Sequence, residues 1–522
     1  MKEKSIQAKL RQTLYILVIF LTALSLVRPS QIEAATAQEY ISEGEDYLYS
    51  ETINGILLAH YTFQEAFGYY QSDPVINAYL ALTRMLNLAL KSGSGGLQEL
   101  LTLYGIVRTG SDLDTLDYHL PIDGNGKYDV PVTAPKTETA RAFMSGALLS
   151  AIDASINNLN TTIANWNDSS KHIVAKEKRG SDVDIEVDYG DIYLFRAGLK
   201  GLKSLVLTIT AYDLNVDIRE IAALDNSDAF SEKKFLNSYL YFLNLIPTSA
   251  TPTGNGRNQL ALARTTLMSG IDDYITASQK IRNDNDHTSG AEELIEIDEC
   301  DYISEEWFRN SLMSIKSTLS NPSNPASQIP DQEEEWIFTD TATGNRISVT
   351  LKHNKSQGEF DGIDGGDFVG YGGDIECLKI SGNQIYIEME SAGYPYSEVA
   401  FAGTLNGTSD TINGTYSGWY DAGPVSGNFY AMRVQVSANI ERINLNPFFG
   451  NGSGPYDIRD FLPQFNVCNQ PVPGTVGIGL NPSTPDATLG GILPDYIQDD
   501  WGLDPESCSL GLPWNILLLL DD

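Results

Sequence analysis

Hydrophobic positions in this chain keep one spacing up to about residue 320 and a different one beyond it. Ile192, Phe195, Leu199, Leu202, Val206 and Ile209 recur three and four residues apart, which marks one face of a helix. Met144, Leu148, Ile152, Ile156 and Leu159 do the same, as do Phe308, Leu312, Ile315 and Leu319. Asp73-Pro74 predicts a helix start, with an acidic N-cap followed by proline at the first helical position. Further helices are predicted over about 231–246 and 258–281, so residues 38–320 are expected to form an all-helical domain, a solenoid or a bundle.

From Trp336 the period falls to two. Ile347, Val349 and Leu351 alternate with polar residues, and Leu378 and Ile380 face Ile385, Ile387 and Met389 across a Ser-Gly-Asn turn. One phrase then occurs three times: Phe401-x-Gly403-x-Leu405, Ile412-x-Gly414-x-Tyr416 and Val425-x-Gly427-x-Phe429. On a strand these residues share a face, and the glycine lets the sheet curve or an opposing side chain come close. Residues 336–440 are therefore expected to form an antiparallel β-barrel or sandwich. Its rhythm is similar to that of lipocalin- and avidin-like barrels.

Two irregular stretches complete the division. Residues 321–335 are Pro/Ser-rich and then acidic, which predicts a linker with Glu333, Glu334 and Glu335 in solvent. Residues 441–522 are too rich in Pro and Gly for long elements. Yet Phe448, Phe449, Phe461, Phe465, Trp501 and Trp514 are too apolar for a disordered tail. An irregular C-terminal wrap, packed on the domains, is expected. The fold class is multidomain, α then β.

The first helical pair carries a recognisable pattern. Tyr40, Gly44 and Tyr47, then Ala59, Phe63 and Ala66, resemble the first and second helices of a tetratricopeptide repeat. The inter-helix loop is about three residues longer than in that family, and the closing proline comes late, at Pro74. The resemblance covers one repeat. It implies a helical surface that binds a protein or peptide partner.

The N-terminus reads as an address. Lys2, Lys4, Lys9 and Arg11 precede an apolar run from Leu14 to Val27, and Ala35-Thr36-Ala37 follows. Basic, apolar, then small-x-small is the order of a secretory signal peptide, here residues 1–37, with cleavage after Ala37 or, alternatively, Ala34. The run falls short of the roughly twenty residues of a spanning helix, so no membrane span is expected after cleavage, and the protein is expected in the periplasm, at the cell surface or outside the cell. The formal charge of −35 repels phosphate backbones and argues against nucleic acid as a partner. Cys300, Cys377, Cys468 and Cys508 allow three disulfide connectivities. Cys468–Cys508 is the favoured pair, because both lie in a tail that needs a staple.

Catalytic signatures are missing from the sequence. The five histidines are scattered, and no nucleophile elbow, phosphate loop or dinucleotide fingerprint is present. Calcium is the sharper candidate, because hard cations need clustered oxygens on tight loops. Asp123, Asn125 and Asp129 form one candidate set; Asp361, Asp364, Asp367 and Asp374, set among glycines, form another. No other cofactor is expected. These features favour an exported, non-catalytic binding protein, with a protein or peptide partner on the helical domain and a ligand or glycan on the β domain. The alternatives are a polysaccharide-active hydrolase using a carboxylate pair and a structural cell-envelope component.

Overall fold

The structure is a computed structural model. It describes residues 35–443 apart from 168–169, 180–182, 214, 226–255, 284–290, 321–326, 353–356, 364–371, 392–396, 407–409 and 421–422. The N-terminal half is largely helical and the C-terminal half is a curled antiparallel sheet. The predicted helix over 231–246, residues 1–34 of the expected signal peptide and the tail from residue 444 lie outside the described residues.

Helices α1 (Ala37–Leu48), α2 (Ile53–Tyr69) and α3 (Pro74–Leu90) begin where the sequence supplies caps. The Thr36 hydroxyl accepts from the Glu39 N–H at 3.2 Å, while the Glu39 carboxylate accepts from the Thr36 N–H at 2.6 Å. This reciprocal box satisfies two orphan donors of the first turn. Asp73 accepts from the Ile76 N–H at 3.0 Å, with Pro74 at the first helical position as predicted. Ala59, Phe63 and Ala66 are fully buried, and Phe63 stacks on Tyr79 at 4.7 Å. A methyl group on Gly44 would overlap the Phe63 ring, so glycine there sets how closely α1 and α2 approach.

The stack continues through α4 (Leu97–Leu103), α5 (Leu149–Asn165), α6 (Tyr189–Thr210), α7 (Gly256–Asn283) and α8 (Tyr302–Ser320). A helix over Glu138–Phe143 leads into α5 through a π turn at Met144–Leu148. The α3, α5, α6 and α7 faces share a second apolar cluster that includes Ile152, Leu159, Ile192 and Leu207. Polar groups lock the seams. Asn158 donates to Asn77 at 2.6 Å and accepts from Arg84 at 2.6 Å. Asp273 on α7 takes both Arg196, at 2.6 Å, and Lys200, at 2.6 Å, from α6. Removing either partner of such a buried pair would leave an uncompensated charge.

The helical half is not purely helical. Val107–Thr109 pairs with Asp117–His119, and His172–Val174, Asp184–Val187 and Ala291–Glu293 form a three-stranded sheet. These strands are three or four residues long, too short for alternation to register in the sequence.

The sheet has eight strands in sequence order: β1 (Ser327–Asp340), β2 (Arg346–Lys352), β3 (Gln357–Ile363), β4 (Gly372–Ser381), β5 (Gln384–Ser391), β6 (Ser397–Leu405), β7 (Thr411–Tyr420) and β8 (Gly423–Ile443). Each pairs with the next, and β8 pairs back to β1, closing an up-and-down barrel. The thinnest seam is β3–β4, joined by three residue pairs. The interior is an apolar core with Trp336, Phe338, Phe401 and Phe429 among its largest members. The three phenylalanine rings lie 5.1 to 5.3 Å apart, two of the contacts edge-to-face. The glycine phrase works by close approach: a methyl on Gly427 would come within 2.7 Å of the Tyr416 ring, and one on Gly403 within 2.5 Å of Ile412.

The expected linker is corrected by this barrel. β1 begins at Ser327, so residues 327–335 are strand. Glu334, expected in solvent, is buried, accepting from the Trp336 indole N–H at 3.0 Å and pairing with Arg433 at 2.9 Å. At the other end of the same inward row, Asp340 accepts from the Tyr416 hydroxyl and from the N–H groups of Ala342 and Thr343. A run of acids looks solvated in a sequence until a strand partner supplies the cation.

Candidate functional site

Helices and barrel meet at α8, where Ile303 packs against the barrel core, and at a disulfide between Cys300 and Cys377. The expected Cys468–Cys508 pair lies outside the described residues. Beside the disulfide opens a polar cleft of about 380 Å³, adjoined by a smaller cavity of about 220 Å³.

The cleft is built by a long-range strand pairing. Ala291–Glu293 runs parallel to Asp184–Val187, with the Leu294 N–H donating to the Glu186 carbonyl at 2.9 Å. That register lays residues 293–299 across the N-terminus of α6 and the C-terminal end of α7. The helical side contributes Asp188, Arg282, Glu293 and Tyr302; the strap adds Glu296, Asp298 and Glu299; the barrel contributes Lys379 from β4. Both bases are matched within the wall. Arg282 donates to Glu305 at 2.8 Å and lies 4.3 Å over the Tyr302 ring, and Lys379 donates to Glu299 at 2.9 Å. Acids therefore outnumber bases in the lining, and the site is a cation acceptor in its electrostatics.

Behind Asp188 sits Asp191. The two form the capping box of α6: Asp188 accepts from the Asp191 N–H at 2.9 Å, and Asp191 accepts from the Asp188 N–H at 3.0 Å. Asp191 is 4% exposed, and its second carboxylate oxygen has no hydrogen-bond partner. Burial pushes its pKa up to about 8, with the charges of Asp188 and Glu293 adding, against the pull of the Asp188 N–H. At neutral pH Asp191 thus holds a proton behind the cleft wall.

The calcium candidates fare unequally. Asp123 spends its oxygens on its own turn, accepting from the Asn125 N–H at 2.8 Å and the Lys127 N–H at 3.0 Å. Those bonds hold its carboxyl below the usual range. Asn125 donates back to Asp123 at 3.3 Å, and the Asp129 N–H closes the hairpin onto Pro121. A hairpin turn accounts for the Asp123 carboxylate and the Asn125 amide. Asp361 pairs with Gly372, and Asp374 with Glu359, on adjacent strands, while Asp364 and Asp367 lie outside the described residues. Among the described residues no group of three His, Cys, Asp or Glu side chains is placed to hold a metal, and no helix is long and apolar enough to cross a membrane.

None of the cleft residues was singled out from sequence. Asp188-x-x-Asp191 before an apolar run has the form of a capping box, a signal for a helix start and silent about a site. The strap at 293–299 acquires meaning only through its pairing with a strand about a hundred residues earlier. No family model matches the chain, and no match was found among curated proteins or solved structures.

Proposed function

We propose that this chain is an exported, non-catalytic binding protein that holds a small organic cation in the junction cleft. The carrying observation is the lining: Asp188, Glu293, Glu296, Asp298 and Glu299 against Arg282 and Lys379, both already matched to carboxylates. The barrel interior, filled by its aromatic core, leaves its outer wall and the junction for binding. Export is supported by the basic-apolar-small order of the N-terminus and by the Cys300–Cys377 bridge, which suits an oxidising compartment.

A hydrolase would draw on the same cleft, since Asp188 and Glu293 line it and Asp191 keeps a proton. Glycosidic cleavage requires carboxyls flanking the bond, roughly 5 to 9 Å apart. Asp188 and Asp191 instead engage each other's backbone, so binding is the better-supported role.

Calorimetric titration of the full chain with spermidine, with glutamate as the anionic control, tests the proposal. Spermidine should bind, and more weakly as salt rises. Asp188→Asn and Glu296→Gln should each weaken it by roughly three- to tenfold, the size of one partly solvated charge contact. No heat with spermidine, or equal affinity in both variants, would count against the cleft.

A further inference from the structure

A second feature lies away from the cleft. From the last residue of α4 toward the Glu138 helix the chain makes an excursion over residues 103–132 that includes two short hairpins. Val107–Thr109 pairs with Asp117–His119, and Ile122 bridges to Tyr128. Eight of the 23 exposed large apolar side chains among the described residues fall in these thirty positions. Val132 is 83% exposed, Val107 57%, Ile122 55% and Leu120 49%. Leu120 and Ile122 follow directly on the first hairpin, and Gly105 approaches both Pro121 and Pro131, so the hairpins share one small platform.

The platform is held firmly from behind. The Leu113 N–H donates to the Glu51 carbonyl at 2.9 Å and the Ile53 N–H to the Ser111 carbonyl at 3.1 Å, tying it to the α1–α2 turn. Glu51 takes a left-handed φ of 58° there, the one non-glycine residue to do so among the described residues. Arg108 donates to the Leu90 carbonyl at 2.5 Å, and Arg219 to the Val132 carbonyl at 2.7 Å. A backbone anchored at both ends, with its apolar side chains in water, is pre-organised for a partner.

Charge selects the partner. The excursion carries five acids (Asp112, Asp114, Asp117, Asp123 and Asp129) and two bases, of which Arg108 is turned inward. A second copy would bring the same acids. The chain's own residues 444–522 hold ten acids and one base. Anionic lipid would be repelled as well. We infer that the 103–132 platform docks a partner protein through a segment in which Leu or Ile side chains sit beside Lys or Arg.

Two synthetic peptides of alternating Leu and Lys, or Leu and Glu, supply the probe, with fluorescence anisotropy on the full chain as the readout. The Lys peptide should bind and the Glu peptide should not. Val107→Ser with Ile122→Ser should weaken the Lys peptide at least tenfold, while Tyr430→Ser with Met432→Ser on the barrel wall should leave it unchanged. Asp114→Lys with Asp117→Lys should reverse the preference toward the Glu peptide. Equal binding to the Val107/Ile122 variant, no reversal by the charge variant, self-association that the Val107/Ile122 change abolishes, or docking to neutral phosphatidylcholine vesicles would each overturn the assignment.

Discussion

Asp191 is a buried carboxylic acid whose chemistry departs far from its behaviour in water. Its folded pKa, about 8, stands above the ordinary 3.8, so between those values the folded state holds a proton that the unfolded chain releases. Stability from this group is therefore complete below about pH 4 and is lost as pH rises toward 8, at up to about 1.4 kcal/mol per unit. Asp191→Asn keeps an acceptor for the Asp188 N–H but removes the titration. Chemical denaturation across pH 4 to 9 should show a flatter profile in the variant and higher stability at neutral pH; a parallel profile would refute the assigned proton. Thr36 makes a second prediction. Its capping box, together with the Tyr70 hydroxyl bond to the Ala35 carbonyl at 2.7 Å, is discarded by cleavage after Ala37 and kept by cleavage after Ala34. Losing such a cap costs about 1 kcal/mol. Under the proposed export, intact mass of the processed protein should place the first residue at Ala35, and a start at Gln38 would contradict the cap's importance.

Among the elements, the barrel row Glu334, Trp336, Phe338 and Asp340 shows how acids close an apolar core. Burial pushes the Asp340 carboxyl up, but the Tyr416 hydroxyl and the Thr343 and Ala342 N–H groups outweigh it, and its pKa is lowered. That stability is present above the unfolded carboxylate range and is lost as pH falls through the folded value. Tyr416→Phe should cost about 1 to 3 kcal/mol and move acid unfolding to higher pH, as a thermal scan at successive pH values would register. This inward row was half legible in the sequence. Trp336 marked where the alternation begins, and Phe401, Ile412 and Phe429 announced themselves around their glycines. Glu334 did not, because nothing local reveals that Arg433, 99 residues on, will meet it. The long helices were legible for the same reason as the inward strand residues: a face repeated many times outweighs local noise. The cleft was not, being assembled from a three-residue strand, a helix cap and one lysine on a distant strand.

At the scale of the whole molecule, a helical stack encloses two large apolar clusters and an eight-stranded barrel a third, and they touch through α8 and the strap that ends at Cys300. The bridge to Cys377 closes a separation of 77 residues, a loop whose constraint on the unfolded chain is worth about 4.5 kcal/mol. Cys377→Ser should lower the melting temperature and, by freeing the wall that carries Lys379, weaken spermidine binding; unchanged binding would place the cation elsewhere. All of this depends on the two bodies meeting where Cys300 faces Cys377. Peptide mapping of the unreduced protein by mass spectrometry tests that meeting most directly. A linked peptide pair joining Cys300 to Cys377 is the predicted result, and either cysteine found free or bonded to Cys468 or Cys508 would contradict it.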